Sequence, residues 1–314
     1  MQPHNFLTES SVRAYLSNPS TLASHPPTDK ITAISPLSGG LCNNVWRITF
    51  SSSKPLILKQ FPAFLRTIPS FSLPTQRAQV EFGALTRMQP ASEGAVGWAT
   101  PRPIAYDAEA SVVVMEDAGA ELVTFFDALK RGRDDPLKTD WVVAALAEFV
   151  ACVSDVRGSI APTALMTGVL TALGEEVGSA WFARSTAARA MEPGWIFGDL
   201  WPASVLIDSE RRRVTVVDWE CCRPGHSGVD VTQMAGNLFL MTLGAPFRNE
   251  VAERCLRGFV RAAMDSRAHD AGFDYAGAFV GHVADLVKYP HWELPDINAA
   301  VVQSVRLAKN LFLL

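Results

Sequence analysis

A chain of 314 residues with 48% hydrophobic and 19% charged side chains has apolar material for two packed units and is not a disordered polymer. Its formal net charge of −4 argues against a nucleic-acid partner, because phosphate backbones select clustered lysine and arginine. Five cysteines without zinc-type spacing, and a polar start with no apolar leader, point to the reducing cytoplasm.

In chain order, the pattern predicts a short amphipathic helix from Phe6 to Leu16. Strands follow over Ile31–Leu37, Asn44–Phe50 and Pro55–Phe61, rich in β-branched and aromatic residues and separated by Gly39-Gly40 and Ser51-Ser52-Ser53. Ala63–Pro74 reads as a loop, Gln76–Met88 as a helix, and Pro103–Tyr106 with Ser111–Met115 as a hairpin. From Ala118 the character turns helical. Amphipathic segments cover Leu122–Lys130, Asp140–Val156, Leu165–Ala190, Val229–Leu243, Asn249–Asp265, Asp274–Tyr289 and Ile297–Leu313. The hairpin Val205–Ile207 with Val214–Val217 interrupts them, and the basic run Arg211–Arg213 falls in its turn. The longest apolar stretch, Trp141–Val153, contains Glu148 and falls short of the roughly 18 residues a membrane span requires, so no membrane partner is expected. The expected division is a strand-rich unit over residues 1–117 and a helical unit over residues 118–314. The sequence is silent on oligomeric state.

The densest chemical signal is Phe197-Gly198-Asp199-Leu200-Trp201-Pro202-Ala203-Ser204, followed by Val217-Asp218-Trp219-Glu220. The hairpin between them brings Asp199 near Asp218 and Glu220. Converging carboxylates repel unless a cation sits among them, and hard oxygen ligands of this kind suit magnesium with substrate phosphates. If Asp218–Glu220 is extended, both acids share one face. Earlier in the chain, Ser38-Gly39-Gly40 joins two strands, where paired glycines let backbone N–H groups approach phosphates. Lys59 ends an apolar strand and Glu81 follows on a helix.

These segments resemble the aminoglycoside phosphotransferase and choline kinase superfamily, relatives of the protein kinases. The nearest branches are those of methylthioribose kinase and of the psilocybin-pathway hydroxytryptamine kinase. The resemblance implies a bilobal α+β kinase-like fold with a small antiparallel-sheet lobe and a larger helical one. It implies ATP and Mg2+ as cofactors, and a hydroxyl on a small molecule as phosphoryl acceptor. Asp199 takes the role of catalytic base, while Asp218, Glu220 and Ser204 fall at metal positions. Ser38, Gly39, Gly40, Asn43, Lys59 and Glu81 fall at nucleotide positions, and Met115, Glu116 and Asp117 at the adenine hinge. Asp230 is expected to brace the site or cap the next helix, and Leu165–Ala190 to help bind the acceptor. Two positions depart from the pattern: Phe197 replaces a frequent histidine, and Ser204 replaces a metal-binding asparagine. They keep open a weakly catalytic nucleotide-binding scaffold. An enzyme that phosphorylates and then eliminates is a third reading. Cys221-Cys222 reads as buried packing. His282, His291 and Glu293 are spaced too irregularly for a metal site. Trp201, Trp219 and Trp292 fit either the core or an aromatic acceptor.

Overall fold

A computed structural model describes residues 6–17, 29–37, 42–66, 68–95, 97–130, 139–156, 194–266 and 272–312. The Ser38-Gly39-Gly40 loop and the expected helical segment 165–190 lie outside these residues.

The first unit is a five-stranded antiparallel sheet in the order β1-β2-β3-β8-β7. Its strands are β1 (Ile31–Leu37), β2 (Asn44–Phe50), β3 (Leu56–Gln60), β7 (Pro103–Asp107) and β8 (Val112–Glu116). Side chains alternate across a strand, so this sheet sorts them onto two faces. Trp46, Ile48, Leu58, Val112 and Val114 face one way and pack with Phe6, Val12, Tyr15 and Leu16. The last four belong to the segment around helix α1 (Glu9–Leu16), which starts later than the sequence suggests because Thr8 caps it, accepting from the Ser11 N–H at 3.2 Å. Val113 and Met115 face the other way and join the main core with helix α2. Lys59 is one residue out of phase with Leu58, so it also leaves the sheet on the α2 side.

α2 spans Arg77–Gly94, longer than expected because the helix continues through Pro90. Between β3 and α2 a short ribbon, β4 (Phe64–Leu65) with β5 (Ile68–Ser72), stands where a plain loop was expected. The expected helix from Leu122 divides into β9 (Val123–Thr124) and α3 (Phe125–Lys130). β9 joins a second sheet in the order β6-β12-β11-β9, built from β6 (Trp98–Ala99), β11 (Val205–Asp208) and β12 (Arg213–Val216). β10 (Gly194–Ile196) pairs with β13 (Arg223–Gly225) and clamps both ends of the Asp199 and Asp218 segments.

The helical part is organised around α5 (Gly228–Leu243), whose residues are buried from Gly228 through Met241. Against it lie α6 (Asn249–Asp265) and α7 (Tyr275–Leu286). α4 (Asp140–Asp155) packs on α6, and α8 (Ile297–Phe312) packs on α7. α6 turns one stripe inward, Val251, Cys255, Leu256, Phe259 and Val260, at the spacing of a single helix face. Among the described residues no helix is long and apolar enough to cross a membrane.

α1 is fastened by two side-chain bonds. Tyr15 Oη donates to Asp107 at 2.8 Å, and Trp46 Nε1 donates to the Phe6 carbonyl at 3.0 Å. Tyr15→Phe keeps the packing and removes the first bond. Urea unfolding is expected to show a loss of about 1 kcal/mol, with the slope unchanged.

Candidate active site

The site begins with a buried cation. Lys59, 3% exposed, donates to Glu81 of α2 at 2.6 Å and to Asp218. Burial alone would lower the ammonium's pKa; Asp218, Glu81 and Glu220 more than reverse this and hold it above the usual lysine value. Burial pushes the Glu81 carboxyl up while Lys59 pulls it back. The three groups tie β3, α2 and the segment after β12 to one point.

That segment differs from the extended run expected of it. Asp218 adopts a left-handed conformation, φ 71° and ψ 56°, and Trp219–Cys221 forms a turn of 3₁₀ helix. The fully buried Trp219 ring forces the turn. It packs against Phe149 and Phe197 and donates from Nε1 to the Val216 carbonyl at 3.0 Å. Asp218 and Glu220 therefore do not share a strand face. Asp218 meets Lys59. Glu220 Oε2 accepts from Arg77 Nη1 at 2.6 Å and from Asn43 Nδ2 at 2.9 Å. Arg77, at the first turn of α2, has no counterpart among the residues the sequence singled out.

Asp199 stands on a backbone held from several sides. Asp230 accepts from the Phe197 and Gly198 N–H groups at 2.7 and 2.8 Å, which makes it a brace. Arg223 Nη1 donates to the Gly198 and Cys221 carbonyls at 3.3 and 3.1 Å. Gln233 of α5 accepts from the Leu200 N–H at 3.1 Å and donates to Asp199 Oδ1 at 2.8 Å, fixing the carboxylate's rotamer. Burial raises the Asp199 carboxyl to about 7; the charge of Asp218 adds to this and the Gln233 bond opposes it. Phe197 is fully buried against Phe149 and Trp219, so an apolar ring fits where the family often carries histidine.

Ser204 is fully buried. Its hydroxyl donates to the Trp201 carbonyl at 2.8 Å and accepts from the Trp201 N–H at 3.3 Å, while its own carbonyl accepts from Val217 at 2.9 Å. It locks the turn that carries Asp199 to the segment that carries Asp218. At the hinge, Met115 is buried in mid-sheet, pairing with Ile57 and Pro103. Glu116 pairs with Arg102, and Asp117 with Arg47 at 2.6 Å. Those two carboxylates brace the hinge, whose backbone is also engaged: the Glu116 N–H donates to the Arg102 carbonyl at 2.9 Å and the Asp117 N–H to the Pro55 carbonyl at 3.3 Å. Cys42 and Cys221 lie in the field of these acids. Burial, then Glu220, pushes the Cys42 thiol up to about 12, and burial raises Cys221 well above its usual value, so neither is a nucleophile.

The residues fit a divalent cation. Lys59 and Arg77 face the carboxyl groups of Glu81, Asp199, Asp218 and Glu220, so full ionisation of all four would leave two negative charges in excess. Arg223 and Asp230 cancel each other behind them. Among the described residues no three His, Cys, Asp or Glu groups enclose a metal by themselves. Magnesium takes one or two carboxylates and completes its shell with phosphate and water, and Asp218 and Glu220 are the carboxylates that could serve.

An aromatic wall borders Asp199. Tyr289 is 44% exposed, stacks on His291 with centroids 5.8 Å apart, and feels the charges of Asp199 and Asp285. His291 continues to the half-buried Trp201, 6.2 Å away, and to Phe126 at 6.0 Å. Trp219 and Trp292 belong to the core.

Solved structures share this bilobal kinase-like fold. The GDP complex of an aminoglycoside 2′-phosphotransferase aligns with a TM-score of 0.53 at 14% identity, covering 95% of this chain and 96% of that one. Plasmodium vivax ethanolamine kinase aligns with a TM-score of 0.56 at 7% identity, covering 98% and 90%. At such identities the likeness is one of fold. In sequence, the chain belongs to the phosphotransferase enzyme family, whose model matches residues 33–268. It is also similar to 4-hydroxytryptamine kinases from Psilocybe cubensis and Psilocybe cyanescens. Each is 23% identical, the first covering 81% of this chain and 79% of its own length, the second 90% and 86%. The relatives are thus small-molecule kinases.

Two predictions follow from the catalytic turn. Gly198 has φ +86°, and a Cβ there would stand 2.2 Å from Arg223 Nη1 and 2.3 Å from the Cys221 carbonyl. Gly198→Ala adds about 1–2 kcal/mol of backbone strain to that overlap; calorimetry is expected to show a large drop in melting temperature. The second concerns Asp199. Its folded pKa of about 7 exceeds the 3.8 of an ordinary aspartate, so the folded state holds the proton more tightly between those values. Ionisation therefore removes stability as pH rises through that window. In protein without metal or nucleotide, Asp199→Asn is expected to melt higher than wild type at pH 8. The gain should shrink towards pH 4, as read from melting curves across pH.

Proposed function

We propose that the chain transfers the γ-phosphoryl group of ATP to a hydroxyl on a small molecule, with Asp199 as catalytic base. The observation that carries this reading is the raised Asp199 carboxyl, held by Gln233 among the described residues and lying in the field of Asp218, the partner of Lys59. Asp199 orients the acceptor hydroxyl and accepts its proton as the new O–P bond forms and the bond to ADP breaks. Lys59 neutralises phosphate charge and keeps Asp218 in place. Magnesium bound by Asp218 and Glu220 would offset charge on the transferring group. Met115, Glu116 and Asp117 would border the adenine, with the Glu116 and Asp117 N–H groups already given to the Arg102 and Pro55 carbonyls, and Ser38, Gly39 and Gly40 are assigned to the phosphates by their sequence alone. The nucleotide lobe then comprises residues 1–117 and the acceptor lobe residues 118–314, in keeping with β8 ending at Glu116.

Trp201 and Tyr289 beside Asp199 favour an acceptor with a flat aromatic face, and similarity to 4-hydroxytryptamine kinases supports a hydroxyl carried on such a ring. One observation favours the weakly catalytic alternative: the Ser204 hydroxyl is committed to the Trp201 backbone, so this position adds no side-chain metal ligand.

The test is incubation with Mg-ATP and a panel of hydroxyindole amines, ethanolamine, aminoglycosides and sugars, with products weighed by mass spectrometry. A gain of one phosphoryl group on an aromatic alcohol, lost in Asp199→Asn and in Lys59→Met while both variants stay folded, is the expected result. Metal-dependent nucleotide binding without transfer to any acceptor would favour the scaffold, and a dehydrated product would favour elimination.

A further inference from the structure

Arg77 is 1% exposed, and each of its donor groups has a named partner. Nε donates to the Pro74 carbonyl at 3.0 Å and Nη2 to the Pro62 carbonyl at 3.1 Å. These two bonds, from the stretches flanking the β4–β5 ribbon, fix the plane of the guanidinium. Its Cζ also lies 5.5 Å from the centre of the Phe61 ring. Nη1 then reaches Glu220 Oε2 at 2.6 Å and Asn43 Oδ1 at 3.0 Å.

A buried arginine usually grips a carboxylate with both prongs, one per oxygen. Here it does not. Arg77 and Asn43 converge on the same oxygen, Oε2, and Oε1 has no donor among the described residues. A purely structural ion pair has no reason to leave one oxygen bare beside Asp199 and Asp218, where the site already carries excess negative charge. A carboxylate meant to meet a cation does.

The placement on α2 sharpens this. Residues 77 and 81 are one helical turn apart and share a face. Glu81 holds Asp218 through Lys59, and Arg77 holds Glu220 directly. One face of one helix thus positions both acids of the Asp218-Trp219-Glu220 segment. Asn43, which follows the glycine loop, reports to the same carboxylate from the nucleotide side.

We propose that Arg77 is a positioning residue for phosphoryl transfer: it holds Glu220 by Oε2, with Asn43, and so presents Oε1 to a divalent cation. This rests on the phosphotransferase reading above. Outer partners of metal ligands typically alter metal affinity by about 10–100-fold when removed.

The experiment titrates ADP calorimetrically at a series of Mg2+ and Mn2+ concentrations into wild type, Arg77→Met, Arg77→Lys, Asn43→Ala, Glu220→Gln and the Arg77→Met/Glu220→Gln double variant. Melting temperatures and turnover are measured alongside. Arg77→Met is expected to raise the metal concentration for half-maximal ADP binding by about tenfold or more, with ADP affinity in chelator little changed. Arg77→Lys should recover part of the shift, and Asn43→Ala should move the same way by less. In the Glu220→Gln background, Arg77→Met should add nothing to the metal requirement. A lowered melting temperature with an unchanged metal requirement would overturn the proposal, as would an equal shift with and without Glu220. If Arg77→Met does not fold, wild-type metal dependence in both Arg77→Lys and Asn43→Ala overturns it. Wild-type binding of metal–ADP without phosphoryl transfer would sink the functional reading alone; absence of metal-dependent binding would sink both.

Discussion

Lys59 places an ammonium where there is almost no water, and a charge in that position is tolerated only with close partners of opposite sign. Its two carboxylates come from helix α2 and from the turn after β12, elements far apart in the chain. The strand fixes the height of the nitrogen, the helix must approach it with Glu81, and the turn must bend to present Asp218. Removing Lys59 leaves the buried Glu81 without its cation, and removing either carboxylate leaves the ammonium with one partner in place of two. The stacking of the sheet against α2, and the placing of the acidic turn beneath both, follow from this one requirement.

The same cluster explains why the catalytic turn is so heavily tied down. Burial, and after it the charge of Asp218, makes ionisation of Asp199 unfavourable, and its raised pKa records that cost. A strained, half-charged group persists only where its surroundings over-determine it. Gly198 supplies the left-handed backbone, Asp230 and Arg223 grip the peptide groups on either side, and Gln233 fixes the carboxylate. Ser204 and the buried Trp219 do the same for the segment carrying Asp218. Stability is traded for a carboxyl held in one fixed position.

Much of this was legible in the sequence because it rests on local pattern. The strand alternation in β1, β2 and β3, the amphipathic stripes of α6 and α8, and the order of lysine, glutamate and paired acids all appear in short windows. What escaped depends on partners distant in sequence. β6, β10 and β13 are two or three residues long and exist only because they pair across the fold, so no alternation announces them. Arg77 looks like any basic residue at a helix start; only the folded chain shows two proline carbonyls, Asn43 and Glu220 around it. The extended reading of Asp218–Glu220 failed because a tryptophan between two acids can alternate along a strand or curl into a turn. In the folded chain the Trp219 ring packs against Phe149 and Phe197, and the backbone takes the turn.

The three tryptophans near the site show how burial separates roles that composition cannot. Trp219 and Trp292 are both enclosed, and each indole N–H already has a backbone carbonyl, so neither ring has a face to offer a ligand. Trp201 is different. It lies two residues beyond Asp199 at the head of the Pro202–Ser204 turn, is only half-buried, and continues through His291 to the exposed ring of Tyr289. Gln233 and Asp230 hold the turn from Phe197 to Leu200, and so hold the backbone that leads into Trp201. A flat acceptor resting on that wall would have its hydroxyl positioned by the same bonds that position Asp199. Recognition and proton transfer would then draw on one rigid element, with no separate closing motion of the wall required.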